Sequence, residues 1–283
     1  MSCLPADLPA HWQVPDYEVL ELTPKRNRYC IGIPVINEGE RITKQLHDMH
    51  QQGLMQQADV ILADGGSTDG SMAEDTLTAC DVRTRLTKRS SGKLSAQLRM
   101  LFAYGLCAGY DGFVLIDGNG KDGVEGIPQF LAALEEGWDY IQGSRYIPGG
   151  IERNTPLSRK LGVKFLHAPL LSIASRTRYT DTTNGFRAVS RQFLEDERLE
   201  PFRDVFDTYN LHYYLSFKAP RLGYRVKELP VRREYPDSGL IPSKIKGVRA
   251  NWHILELLFA TILGKYDPKP PATSQPDDPT TSP

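Results

Sequence analysis

Short apolar runs that stop at acidic or glycine-containing loops, with helix-patterned segments between them, constrain this chain more than any other feature. Tyr29–Ile36 (YCIGIPVI), Asp59–Ala63 (DVILA), Phe113–Asp117 (FVLID) and Asp139–Gln142 read as buried strands, with Val82–Thr87 a further candidate. Their four to eight residues are too short for helices and suit strands covered on both faces. Between them, ITKQLHDMHQQG ending near Gly53, Leu94–Gly105 and Pro128–Glu136 carry helix patterns. Asn37 is placed as an N-cap, with Glu40 at the capping-box position. Strand, helix, strand, with a polar loop after each strand, is the βαβ signature. The expected fold class is α/β: one domain with a mostly parallel mixed central sheet flanked by helices. At 283 residues and 40% hydrophobic composition, the chain can bury the core such a sheet requires.

The polar loops are where chemistry is expected. Asp117-Gly118-Asn119-Gly120 puts an acid at the carboxyl end of a buried strand, beside glycines that permit close backbone approach. An ordinary Asx turn is the alternative. Asp64–Ser71 (DGGSTDGS) leads toward a helix, so its N–H groups face either an anion or only solvent. Lys93, just before a helix start, is placed to reach a phosphate or to sit solvated on the surface.

Beyond Ile147 the texture changes. Residues 153–178 combine Arg153, Arg159, Lys160, Lys164, Arg176 and Arg178 with a Leu/Ile/Ala body. Such a segment lies on an anionic membrane or packs as a helix with a solvated basic face. Thr182–Arg187 is a second ligand-type loop, and a helix is expected to follow through about Phe217. Tyr224–Pro230 reads as a strand that Val231–Tyr235 extends. A glycine-containing loop then precedes Ser243-Lys244. Ala250–Gly264 is strongly apolar, too short to span a bilayer, and suits a buried or interfacial helix.

Other features exclude whole classes. A formal net charge of -1 gives no field for nucleic acid. Cys3, Cys30, Cys80 and Cys107 show no zinc spacing and read as ordinary thiols of a reducing compartment. The N-terminus lacks a secretory pattern, and no apolar run is long enough for a transmembrane helix. A cytoplasmic protein is expected, peripheral at the inner face of a membrane if its substrate is a lipid. Residues 1–28 read as an irregular extension, 29–265 as the domain, and 266–283 as a disordered tail.

Six segments in order resemble the family-2 glycosyltransferases of GT-A fold, within them most similarly the dolichyl- or polyprenyl-phosphate sugar transferases. They are Ile33–Glu38 (IPVINE), Asp64–Ser71, Phe113–Pro128, Gly143–Gly150 (GSRYIPGG), Asn184–Arg187 (NGFR) and Leu222–Pro230 with Ser243-Lys244. The resemblance implies a Rossmann-like GT-A domain and an inverting transfer of a sugar from a UDP- or GDP-sugar. It implies nucleotide-sugar contacts from Pro34, Asn37, Glu38, Asp64, Ser67, Lys93, Gly118, Lys121 and Lys244. It implies contacts to the acceptor's phosphate from Arg145 and Arg159, with Arg187 in the adjoining motif. A divalent metal, Mg²⁺ or Mn²⁺, is implied on Asp117 and Asn119, bridging the diphosphate.

This sequence departs from that pattern. Asn119 replaces a second Asp, Lys121 stands where some relatives have a neutral ligand, and Gly65 replaces another Asp. Asn offers a metal one uncharged oxygen, whereas Lys repels a cation yet neutralises phosphate. Either a weaker metal site survives or lysine does part of its work; the expectation leans to a surviving metal. A lipid-phosphate acceptor brings an ionised nucleophile and needs no base. A sugar-hydroxyl acceptor needs one, for which Asp207 and His212 are the candidates. The alternatives carried forward are this second acceptor class and a non-catalytic nucleotide-binding module.

Overall fold

The computed structural model describes residues 3–235 and 247–268. In chain order the strands are β1 (Tyr17–Glu21), β2 (Tyr29–Val35), β3 (Asp59–Asp64), β4 (Thr84–Lys88), β5 (Gly112–Leu115), β6 (Tyr140–Ser144), β7 (Ile151–Arg153), β8 (Arg187–Ser190), β9 (Val226–Pro230) and β10 (Arg232–Glu234). The helices are α1 (Glu40–Gln51), α2 (Glu74–Ala79), α3 (Leu94–Cys107), α4 (Ile127–Glu135), α5 (Leu157–Gly162), α6 (Ala168–Ser175), α7 (Arg191–Leu194), α8 (Asn210–Arg221) and α9 (Gly247–Ile262). A π-helical turn, Val163–His167, joins α5 to α6.

Among the described residues the central sheet runs β1-β4-β3-β2-β5-β8-β6-β9. The pairs β4·β3, β3·β2, β2·β5 and β6·β9 are parallel, while β1 and β8 run antiparallel to their neighbours. The period-2 geometry of strands sorts alternate residues to opposite faces. Cys30, Ile61, Ala63, Phe113 and Leu115 pack into one core with α3 and α8. Ile31, Ile33, Val60, Leu62, Val114 and Ile116 pack into the other with α1 and α4. Both faces are thus covered, as the expected apolar runs require.

Three readings of the sequence are corrected by the strand pairing. The stretch 1–28 is not irregular throughout: Tyr17–Glu21 pairs with β4 as an edge strand. Its Tyr-Glu-Val-Leu-Glu alternation is flanked by Pro15 and Pro24, which hid it. Arg187 begins β8, a short strand wedged between β5 and β6, where a continuous helix to Phe217 was expected. The chain leaves the sheet at Val231, and β10 pairs with β7 in a separate two-stranded ribbon, so Val231–Tyr235 does not extend β9.

Cys3 and Cys107 form a disulfide across 104 residues, with their Cα atoms 5.9 Å apart, while Cys30 and Cys80 are free and buried. The reading of all four as ordinary thiols fails because pairing depends on proximity in space, which their spacing does not encode. The expected tail and the Ser243-Lys244 pair lie wholly or mostly outside the described residues.

Candidate active site

The order of the strands fixes where a ligand binds. β2 lies between β3 and β5: the chain runs from β2 through α1 to β3 on one side and returns from β4 through α3 to β5 on the other, which opens a crevice at the carboxyl ends. A cleft of about 940 Å³ occupies that place. β2 delivers Pro34, Asn37 and Glu38 to it; β5 delivers Asp117 and Gly118; the loop after β6 delivers Arg145; β8 and β10 deliver Arg187 and Arg233. Among the described residues, seven basic side chains line it (Arg41, Lys93, Lys121, Arg145, Arg159, Arg187 and Arg233) against two acidic ones, Glu38 and Asp117. A pocket so lined favours an anion with several charges.

The donor-side loops are laced together. Asp64 is buried and accepts hydrogen bonds from the Ser67 backbone N–H (2.9 Å) and hydroxyl (2.6 Å). The Asn37 N–H donates to Ser67 Oγ at 3.0 Å, and Asn37 Oδ1 accepts from the Thr68 N–H at 2.8 Å. Asn37 does not cap α1, correcting the expectation: Gly39 holds that position, and the Asn37 side chain is spent on the neighbouring loop. Asp64 and Ser67 stand behind the cleft wall, where Gly65 lines it. Gln97 was not anticipated; its Nε2 donates to Val35 O (2.8 Å) and Ala63 O (2.6 Å), pinning two strand ends. Gly118 is required by close approach, since a Cβ there would sit 3.2 Å from Pro34 O.

At the centre, Asp117 Oδ2 accepts from Arg233 Nη2 at 3.0 Å and from Asn119 Nδ2 at 3.2 Å. Asn119 Oδ1 in turn accepts from the Lys121 N–H at 3.3 Å. Burial pushes the Asp117 carboxyl up, but Arg233 and Lys121 outweigh it and hold it below the usual carboxylate range. Arg233 also pairs with the fully buried Asp122. Lys121 is 6% exposed, its Nζ 5.1 Å from the centre of the Tyr235 ring. Burial, then the neighbouring Arg233, brings its pKa down to about 8. Arg159 Nη1 donates to Tyr235 Oη at 2.8 Å, so one tyrosine gathers three cations. Sequence reasoning missed Arg233, Asp122 and Tyr235. The alternation of Val231–Tyr235 was visible but was read only as sheet.

The other arginines differ in kind. Arg145 is clamped by Asp181, Nε to Oδ2 at 2.6 Å and Nη2 to Oδ1 at 3.0 Å, so its charge is already paired. Arg187 is 2% exposed and donates only to neutral oxygens: Tyr140 Oη (2.7 Å), His212 O (2.7 Å), Asn184 O (2.9 Å) and Thr182 O (3.0 Å). Among the described residues no carboxylate pairs with it. Burial first, and Arg187 second, keep His167 at about 4 and His212 well below the usual histidine value, so both are neutral. His212 lines the cleft. Asp207 does not: it is exposed beyond Gly92, and its carbonyl accepts from the Lys93 N–H at 2.8 Å. Lys244 lies outside the described residues.

This sheet, with its basic cleft at the switch point, defines a GT-A glycosyltransferase. Solved structures agree on the fold. Glucosyl-3-phosphoglycerate synthase from Mycobacterium tuberculosis, in complex with Mn²⁺ and UDP, aligns with a TM-score of 0.59 at 16% identity, over 85% of this chain and 81% of its own. The undecaprenyl-phosphate mannosyltransferase of Micrococcus luteus is 30% identical over 76% of this chain and 86% of its own length. The polyprenol monophosphomannose synthase of Mycolicibacterium smegmatis is 28% identical over 85% and 89%. The dolichol-phosphate mannosyltransferase of Pyrococcus furiosus is 27% identical over 62% and 49%. No protein-family model matches the chain. The chain belongs to the family-2 glycosyltransferases, in the group of dolichyl- and polyprenyl-phosphate sugar transferases. Among the described residues no helix is long and apolar enough to cross a membrane.

Proposed function

We propose that this enzyme transfers a hexose, mannose on the model of its named relatives, from a nucleotide diphosphate sugar to a polyprenyl phosphate at a membrane surface. The observation that carries this reading is the continuity of the basic cleft with an apolar face. Arg159, Val163 and Leu166 line the cleft from the α5 to α6 segment, and Ile254 and Leu255 line it from α9. The same elements leave Leu157 (68%), Phe165 (69%) and Trp252 (62%) exposed. Exposed Lys164, Arg176 and Arg178 accompany them. Apolar side chains beside basic ones suit a helix lying in an anionic interface. A lipid phosphate approaching from that side meets Arg159 and the cleft directly.

The chemistry needs no general base. An oxygen of the acceptor's phosphomonoester dianion forms the new bond to the anomeric carbon. The bond from that carbon to the diphosphate breaks, and its electron pair leaves with the nucleoside diphosphate. Charge balances without a proton: the acceptor becomes a phosphodiester monoanion as the leaving group gains one negative charge. What remains for the protein is to align the two phosphates and stabilise the growing charge. Arg187 offers a fixed positive charge beside the cleft, and Pro34, Asn37 and Glu38 border the nucleoside. The neutral, buried His212 has no role in this route.

The purified chain is expected to convert UDP- or GDP-sugars with undecaprenyl phosphate in vesicles to a lipid-linked sugar, read by mass spectrometry. Transfer to a water-soluble sugar with no lipid phosphate present would overturn the acceptor assignment. Absence of nucleotide-sugar turnover with every acceptor would favour a binding module.

A further inference from the structure

Structural neighbours carry Mn²⁺ with UDP, and the turn at Asp117 and Asn119 is where the family resemblance implies such an ion. The donor set there does not fit a divalent cation. A hard cation wants several carboxylate or carbonyl oxygens. Here Asp117 Oδ2 already accepts from Arg233 and Asn119. Asn119 turns its amide nitrogen, not its oxygen, toward Asp117, and its Oδ1 accepts from the Lys121 N–H. The other face of the carboxylate packs on Gly185, where even a Cβ would come within 2.9 Å of Asp117 Cγ. Among the described residues, no three His, Cys, Asp or Glu side chains gather into a metal-holding group. Two cationic side chains, Lys121 and Arg233, stand where a metal's charge would be supplied, both in the cleft wall and both at most 7% exposed.

We propose that Lys121, backed by Arg233, takes the metal's place: it binds the donor diphosphate and neutralises the charge that develops on it, so that transfer proceeds without a divalent ion. The inference rests on the nucleotide-diphosphate-sugar reading above. Its geometry is specific. Arg233 is anchored between Asp117 and Asp122 and sets the turn, so its charge is largely spoken for. Lys121 projects over Tyr235, whose ring also faces Arg233 and Arg159. A lysine ammonium is a compact point charge with rotatable donors and meets phosphate oxygens without fixed angular demands. Asp117 then acts as a positioning residue that holds Arg233 and Asn119, not as a ligand of the diphosphate's counter-ion.

The test uses the full chain stripped of metal. UDP and GDP are titrated calorimetrically in EDTA and again with Mn²⁺, sugar transfer is measured under both conditions, and Mn²⁺ electron paramagnetic resonance is recorded with and without nucleotide. The expected result is binding and transfer in EDTA that Mn²⁺ changes by less than about threefold, with no nucleotide-dependent loss of the free Mn²⁺ signal beyond that of nucleotide alone. Lys121→Met is expected to weaken nucleoside diphosphate at least about tenfold, the loss of one charge-assisted contact. It should leave binding of uridine or guanosine unchanged, while Lys121→Arg restores most of the diphosphate affinity. Loss of binding and transfer in EDTA with recovery in Mn²⁺ overturns the proposal, and does so in the wild-type chain whatever the variants do. Failure of UDP and GDP to bind under either condition overturns it together with the nucleotide-sugar reading.

Discussion

Arg233 Nη2 lies 3.0 Å from Asp117 Oδ2, although 116 residues separate them. The contact joins the carboxyl end of β5 to the β7·β10 ribbon, which lies outside the central sheet. The same guanidinium pairs with Asp122, whose side chain is fully buried. Removing Arg233 therefore leaves a buried carboxylate without its partner. Arg233→Met should cost about 3–5 kcal/mol of stability. Adding Asp122→Leu should recover most of that loss, because two apolar side chains replace a buried pair without leaving a charge behind. Urea denaturation of the two single variants and the double variant measures the coupling. Additive losses would mean that the two residues do not interact in the folded protein.

Gly185 tests the position of Asp117 without touching its charge. Gly185 adopts no left-handed backbone, so alanine is tolerated by the chain itself, but its Cβ would press on the Asp117 carboxyl group. Gly185→Ala should fold and still bind nucleoside while losing about 100-fold in kcat, the scale of a misplacement of about 1 Å. A variant with wild-type kcat would show that the exact seat of Asp117 does not matter. Circular dichroism separates this outcome from unfolding.

The parallel part of the sheet was legible because its strands are covered on both faces and so appear as unbroken apolar runs. The acid-and-glycine turn at Asp117-Gly118 was legible for a related reason, since a turn at a strand end advertises itself in residue type. What could not be read depends on contacts far apart in the chain. β8 is four residues long and exists because β5 and β6 hold it on either side. Arg145 was legible as a cleft residue, but its clamp to Asp181 was not, because 36 residues separate them. Arg233 looked like one of several arginines on a strand, and only the ribbon that folds it over Asp117 gives it a role.

Acid should test the neutral, buried His167. His167 is buried, its Nδ1 2.7 Å from Thr182 Oγ1, and it holds a pKa of about 4 against 6.5 when unfolded. A depressed folded value means that the neutral form is the one the fold prefers. Its contribution is complete above pH 6.5, declines as the pH falls toward about 4, and is constant below that. The full difference is about 3 kcal/mol at 1.36 kcal/mol per unit. His167→Gln removes this group from the titration. The variant should lose up to about 3 kcal/mol less stability than the wild type between pH 7 and pH 4. Parallel losses would show that His167 titrates normally.

The apolar face on α5, the π turn and α9 makes a prediction at a membrane. Phe165 is 69% exposed and Trp252 62%, so neither contributes much packing to the fold, and changing them should leave stability within about 0.5 kcal/mol. Burying an aromatic side chain in the interface is worth about 1.5–3 kcal/mol, so Phe165→Glu should weaken vesicle binding by at least tenfold. The glutamate also opposes the anionic surface that Lys164 would meet. Flotation with anionic vesicles reads binding, and turnover of a lipid-phosphate acceptor should fall in parallel. Nucleoside diphosphate affinity in solution should not change, since Phe165 does not line the cleft. Unaltered flotation would remove this face from the route by which a lipid acceptor reaches Arg159.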